Sequence, residues 1–288
     1  MGVPILVTGV PRSGTTWVAR LLATAPATSL AGREPMNPRG RQFALGGTVS
    51  GWARMRDVSP AQHRVMRRAY KGWEPRVYSR YGRRQWAAPL PWSRLVVKDP
   101  FALLSLPAIV QRTAAVPVVV HRHPAAVLAS YRRMGWSPDL DEVRAIAAAA
   151  GDGVTPVPDG PLDDATAMGV FWRALHELFL LDSFAPGGAA PPLVVVSHER
   201  LTGDESTCRA LMARLGLEWS SATERELRHE AAPRPAEGAQ RATTLHDFDR
   251  TPQQLAEGWR TQVTPDEIDT TERITADVQA RLDEVSLR

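Results

Sequence analysis

Four short apolar runs punctuate the chain: PILVTGV (4–10), RLVVK (94–98), VPVVVHR (116–122) and PLVVVSHE (192–199). Branched aliphatic residues dominate them, and apolar and polar positions do not strictly alternate. That is the pattern of strands covered on both faces, as in a parallel sheet. Helical spacing fills the intervals. TTWVARLLATA follows the first run, PFALLSLPAIVQRT the second and PAAVLASYRRM the third. MGVFWRALHELFLLDSF (168–184) reads as a long buried helix ahead of the fourth run, and ESTCRALMARLGL and PDEIDTTERITADVQARLDEV read as amphipathic helices after it. Alternating strands and helices predict right-handed βαβ units and an α/β fold, with a central, mostly parallel sheet flanked by helices. One domain over 1–288 is expected, with no internal repeat.

Two stretches break the rhythm. Residues 35–93 are rich in Arg, Trp, Pro and Gly, and residues 135–167 contain GDGVTPVPDGPLDD, which reads as a loop. Ligands of open parallel sheets sit beyond the carboxyl ends of the strands. Both stretches can arch over that edge as an acceptor pocket and its lid; the plainer alternative is a pair of surface insertions.

Composition narrows the setting. At 43% hydrophobic and 23% charged residues, the chain can bury a core and does not read as disordered. The formal charge is +4, and many arginines lie between Arg33 and Arg94. This mild basic bias suits an anionic small molecule. It is too scattered for nucleic acid, and neither zinc-finger spacing nor an aromatic RNA-binding signature is present. Cys208 is the sole cysteine, so neither an intrachain disulfide nor a thiol-based metal site can form. No apolar stretch has the length of a transmembrane span. The chain enters its first apolar run at Val3 without a charged leader, and the expectation is a cytoplasmic protein. The Ala/Arg/Pro-rich composition suits a GC-rich bacterial genome and, with it, secondary metabolism or a glycolipid pathway.

Candidate chemistry begins at VTGVPRSGTTW (7–17). Gly9 and Gly14 have the spacing of a phosphate-binding loop, and Thr16 fills its Ser/Thr place. Thr15 stands where a nucleotide kinase carries lysine, and the cation has moved to Arg12. Between strand and helix, such a loop cradles an anion with backbone N–H groups and the helix N-terminus. Ser13, Thr15 and Thr16 add hydroxyl donors. Without the lysine, a triphosphate and its magnesium are poorly served.

PRSGTTW resembles the 5′-phosphosulfate loop of sulfotransferases that use 3′-phosphoadenosine 5′-phosphosulfate (PAPS), a family with a P-loop-NTPase-like fold. VVVHRHPAAVLASYRRM (118–134) resembles the family's 3′-phosphate motif: a strand ending in Arg, then Pro, then a helix bearing Ser. Ser130 follows Arg122 at the family's spacing of eight residues. KDPFALLSL (98–106) and GREP (32–35) resemble segments of tyrosylprotein sulfotransferases. The resemblance implies Glu34 as general base, Lys98 as the cation at the transferring group and Arg12 as its partner on the leaving phosphate. It implies Arg12, Ser13, Gly14, Thr15, Thr16, Trp17, Arg122, Ser130 and Arg241 as donor-binding residues. No metal is expected, because a singly charged sulfonate can be stabilised by fixed cations. The acceptor implied is a small-molecule, lipid or carbohydrate hydroxyl.

Plainer roles compete at several positions. Glu34 could pair with Arg33 or Arg39 at the surface, Lys98 could pair with Asp99, and Asp99 could cap a helix before Pro100. Trp17 suits either adenine stacking or the core. His121 and His123, which flank Arg122, read as scaffolding for it, and His198 as a buried histidine near adenine. Trp52, Trp73, Trp86 and Trp92 are candidates for the acceptor pocket. Two other functions stay open: a P-loop small-molecule kinase, and a binder of adenosine bisphosphate without catalysis.

Overall fold

The computed structural model describes residues 2–31, 33–39, 44–46, 48–49, 51–77, 93–184, 193–228 and 257–287. Each of the four apolar runs contains a strand, and a fifth joins them. The strands are β1 (Ile5–Thr8), β2 (Thr28–Ala31), β3 (Arg94–Lys98), β4 (Val116–His121) and β5 (Val194–Ser197). They lie side by side in the order β2-β3-β1-β4-β5, every neighbouring pair parallel. The helices are α1 (Thr15–Leu22), α2 (Pro60–Tyr70), α3 (Leu106–Thr113), α4 (Pro124–Arg133), α5 (Leu140–Ala148), α6 (Asp164–Phe184), α7 (His198–Gly203), α8 (Glu205–Arg214), α9 (Ser221–Leu227) and α10 (Pro265–Val285).

The unbroken valine runs have a simple cause. Side chains alternate between the faces of a strand, and here both faces are dry. Ile5, Val7, Val96, Val118, Val120, Val194 and Val196 pack with α1, α7 and α8. Leu6, Leu95, Val97, Val119 and Val195 pack on the other side with α3, α4, α6 and α10. The connection leaving β1 therefore crosses one face, while those leaving β3 and β4 cross the other. This reversal opens a crevice beyond the carboxyl end of β1, where ligands of such sheets bind.

Three predicted outlines change. The strand Thr28–Ala31 was not expected from its weak TSLA sequence. The helix expected from Pro100 divides into a 3₁₀ turn, Pro100–Ser105, and α3; Asp99 caps that turn by accepting the Phe101 amide at 3.1 Å. Within 135–167, the GDGVTPVPDGPLDD segment is irregular as read up to Asp163, and ahead of it lies an unpredicted helix, α5, capped by Asp139 on the Glu142 amide at 3.2 Å. Beyond α10, the chain runs along the open edge of β5: the Leu287 amide donates to the Val195 carbonyl at 2.9 Å. Among the described residues, no helix is long and apolar enough to cross a membrane.

Candidate functional site

The loop after β1 is shaped by close approach. A Cβ on Gly9 would lie 2.1 Å from the Val120 carbonyl oxygen, so the loop leaves β1 pressed against β4. Arg12 and Gly14 have φ of 74° and 90°, and the Ser13 amide donates back to the Val10 carbonyl at 3.0 Å. The loop ends at Gly14, the N-cap of α1, where no side chain caps the first amides. Uncapped amides at a helix N-terminus favour an anion. Ser13 is fully buried, and its hydroxyl has no hydrogen-bond partner among the described residues. Thr15 is buried and Thr16 half-buried in the first turn.

Glycine is required at 14 for a second reason, which the sequence does not show. A Cβ there would lie 2.1 Å from Cδ2 of His198, the first residue of α7. That imidazole is buried edge-on to Trp17, ring centroids 6.0 Å apart. Burial, and then the charge of Arg122, hold its pKa well below the ordinary value, so the ring is neutral. Gly14→Ala combines left-handed strain with overpacking, a loss of about 2–4 kcal/mol. We expect the melting midpoint to fall by roughly 5–15 °C, read by circular dichroism.

The end of β4 supplies a cationic cluster. Arg122 is buried; its carbonyl accepts from the Trp172 indole at 2.9 Å, and its guanidinium donates to the Arg12 carbonyl at 3.4 Å. Arg12 Nε donates to Ser130 Oγ at 2.9 Å, and Arg133 donates to the same oxygen at 3.2 Å. The Arg12 guanidinium also lies 5.7 Å from the Trp136 ring centre. Burial lowers the Arg12 pKa, with the like charge of Arg133 second. Residues assigned from sequence to opposite ends of a nucleotide, Arg12 at one and Arg122 and Ser130 at the other, thus touch. Their mutual repulsion is relieved by an anion.

The flanking histidines are engaged elsewhere. His121 Nε2 lies 2.9 Å from Ser286 Oγ, beyond α10. His123 caps α4 through Nδ1, meets Glu272 at 3.0 Å through Nε2 and stacks on Trp259.

The end of β3 carries the third group. Lys98 is buried and forms an ion pair with Glu34, whose other oxygen accepts from Nδ2 of the Asn37 side chain. Glu34 thus pairs with Lys98 rather than with its neighbours Arg33 and Arg39. Arg39 bridges to Asp139 at 3.3 Å, and the Arg33 amide donates to the Val77 carbonyl at 2.8 Å. Asp99 is fully buried and accepts the Met36 amide at 2.6 Å as well as that of Phe101. This carboxylate ties the turn that carries Glu34 to the strand that carries Lys98. Burial, with the Glu34 charge second, pushes its pKa well up. Tyr70 lies near enough to feel the Asp99 charge, and its hydroxyl is buried without a partner among the described residues. Asp99→Ala strands two buried amides, at about 1–3 kcal/mol each. We expect a lower urea midpoint and, in whatever protein remains folded, a rise in mobility around Glu34 measurable by hydrogen exchange.

The segment 52–56 packs between α5, α6 and the 3₁₀ turn after β3. Trp52 is buried on Phe101 and Phe171, with centroids 4.5 and 6.3 Å away, so its ring is core. Its amide donates to Glu142 of α5. Arg54 holds Asp182 of α6 with two bonds of 2.8 and 2.7 Å, and Arg56 joins the same carboxylate at 2.6 Å. Trp73 is 58% exposed, beyond α2. Arg241, Trp86 and Trp92 lie outside the described residues. No cluster of three or more metal-ligating side chains occurs among the described residues. Sequence reasoning missed the Asp99–Met36 bond, the contact of His198 with Gly14, and the roles of Trp172 and Arg133. All but Arg133 depend on chain segments that only the fold brings together.

With that geometry in view, the chain matches the sequence model described as "Sulfotransferase family" over residues 4–155. The matched stretch contains the loop after β1, Glu34, Lys98, Arg122 and Ser130. No curated protein matches significantly. Among solved structures, the chain is similar to mouse sulfotransferase SULT7A1 complexed with PAP, at 15% identity and a TM-score of 0.45 over 99% of this chain and 89% of that one. It is also similar to sulfotransferase STF1 from Mycobacterium tuberculosis H37Rv, at 18% identity and a TM-score of 0.36 over 91% of this chain and 77% of that one.

Proposed function

The chain belongs to the sulfotransferase family, and from that premise we propose that it moves a sulfuryl group from PAPS to a hydroxyl of a small-molecule, lipid or carbohydrate acceptor. One observation carries the reading: three adjacent strands, β3, β1 and β4, end in Lys98, the glycine loop and Arg122 at the same edge. Lys98 faces the acceptor side with Glu34, and Arg122 with Ser130 closes the other side.

In this reading, the α1 amides with Ser13, Gly14, Thr15 and Thr16 hold the 5′-phosphosulfate. Arg122 and Ser130 hold the 3′-phosphate, and Arg241 adds a second cation there. Arg12, bonded to Ser130 from within the loop, links the two ends and neutralises charge on the departing phosphate. The partnerless Ser13 hydroxyl fits such a ligand, because a buried donor without an acceptor is costly. Adenine is assigned to the side of α1 that carries Trp17, whose indole is backed edge-on by the buried His198.

Glu34 takes the proton of the acceptor hydroxyl. The acceptor oxygen forms a bond to sulfur as the bond from sulfur to the 5′-phosphate oxygen breaks. Lys98 stabilises charge on the sulfonate in flight, and adenosine 3′,5′-bisphosphate leaves. Calorimetry with adenosine 3′,5′-bisphosphate against ATP plus magnesium tests the donor assignment. Tight binding of the bisphosphate supports it; preference for magnesium-ATP points to a kinase instead. Transfer of sulfate from labelled PAPS across an acceptor panel then tests catalysis, and binding without transfer to any acceptor rejects the enzyme.

A further inference from the structure

The outer face of α2 has no part in that chemistry. The helix starts at a capping box between Ser59 and Gln62 and turns Met66, Ala69 and Tyr70 inward. Its opposite stripe is basic: Arg64, Arg67, Arg68 and Lys71 are all exposed, with His63 beside them. With Pro60 and Trp73 they line an open groove of about 340 Å³. The acid paired with this stripe among the described residues is Glu74, which is buried and already held by Arg76 at 2.7 Å, with Arg68 at 3.8 Å. Arg64 and Arg67 have no ion pair among the described residues. Trp73 leaves 58% of its surface in water, with the Lys71 ammonium 5.4 Å from its ring centre.

The layout decides what it fits. The Arg12–Arg122–Arg133 cluster converges on shared partners, the Ser130 hydroxyl and the Arg12 carbonyl. The α2 cations instead form a row along that open groove, spread over roughly 10 Å from Arg64 to Lys71. Such a row matches a plane of separate anions. An exposed indole beside the row is the side chain that settles at a bilayer–water boundary. We propose that α2 docks this protein onto an anionic bilayer: the guanidiniums meet lipid headgroups, and Trp73 enters the interfacial layer. Basic residues near such a surface each add attraction that salt screens. The inference does not depend on sulfuryl transfer, and its test is read without turnover.

The full chain is mixed with sucrose-loaded vesicles, either pure phosphatidylcholine or one-third phosphatidylglycerol, and sedimented. We expect partition onto the anionic vesicles alone, released at about 0.5 M salt. Combined Arg64→Ala, Arg67→Ala and Lys71→Ala should weaken it roughly a hundredfold, with an unchanged melting midpoint. Trp73→Ala should weaken it severalfold while leaving its salt dependence intact. Wild-type partition by the triple variant overturns the proposal, as does equal binding to neutral vesicles. So does binding of soluble polyphosphate in preference to the bilayer.

Discussion

Glu34→Gln is expected to lower kcat for sulfuryl transfer by about 10²–10⁴-fold, the range for loss of a positioned general base. The substitution is nearly isosteric. Its carbonyl oxygen can still accept from Lys98 or Asn37, so the turn at 33–37 keeps its anchors, above all the Met36–Asp99 bond. What is lost is the ability to receive the acceptor proton. Adenosine 3′,5′-bisphosphate should therefore bind as in the wild type, because the residues proposed to hold it lie at the ends of β1 and β4. Steady-state rates with saturating donor, alongside calorimetry with the bisphosphate, check both halves. Turnover at the wild-type level would remove Glu34 from the mechanism.

Lys98→Ala is expected to cost about 10²–10³-fold in kcat, the usual loss when one donor to developing charge is removed. Unlike the first variant, it also leaves the Glu34 carboxylate without its cation. Lys98→Arg should not restore the rate: a planar guanidinium cannot fill a site built for a compact ammonium between Glu34 and the sheet. Single-turnover kinetics with preloaded donor separate this loss from weaker donor binding. An unchanged single-turnover rate in Lys98→Ala would show that the lysine does not act in the transfer step.

Much of this was readable from the chain, for identifiable reasons. The valine runs announce buried parallel strands because no alternation is needed when both faces are dry. Gly9, Gly14 and the hydroxyls between strand and helix announce an anion loop because few other uses need all of them together. Other features depend on encounters across many residues. That Gly14 faces His198, or that Asp99 holds the Met36 amide, follows from where α7 and the 33–37 turn come to rest. The reading of Asp99 as a cap was sound but incomplete, since its second oxygen reaches Met36. The strand Thr28–Ala31 escaped notice because four residues of weak propensity become a strand only beside Arg94–Val97. Helix α5 escaped because it is short, starts at the Asp139 cap and runs into Gly- and Pro-rich sequence. Trp52 looked like pocket lining but stacks in the core, since an aromatic's surroundings are not encoded in its neighbours.

Asp182 gives the fold a property of a different kind. A single carboxylate on α6 fastens both Arg54 and Arg56, while Glu142 and Ser105 accept the Trp52 and Met55 amides, so the stretch 52–56 is tied at once to α6, α5 and the turn after β3. Because two arginines share this acceptor, their substitutions should not add: either one alone leaves the carboxylate a partner, and losing both leaves it buried and unpaired.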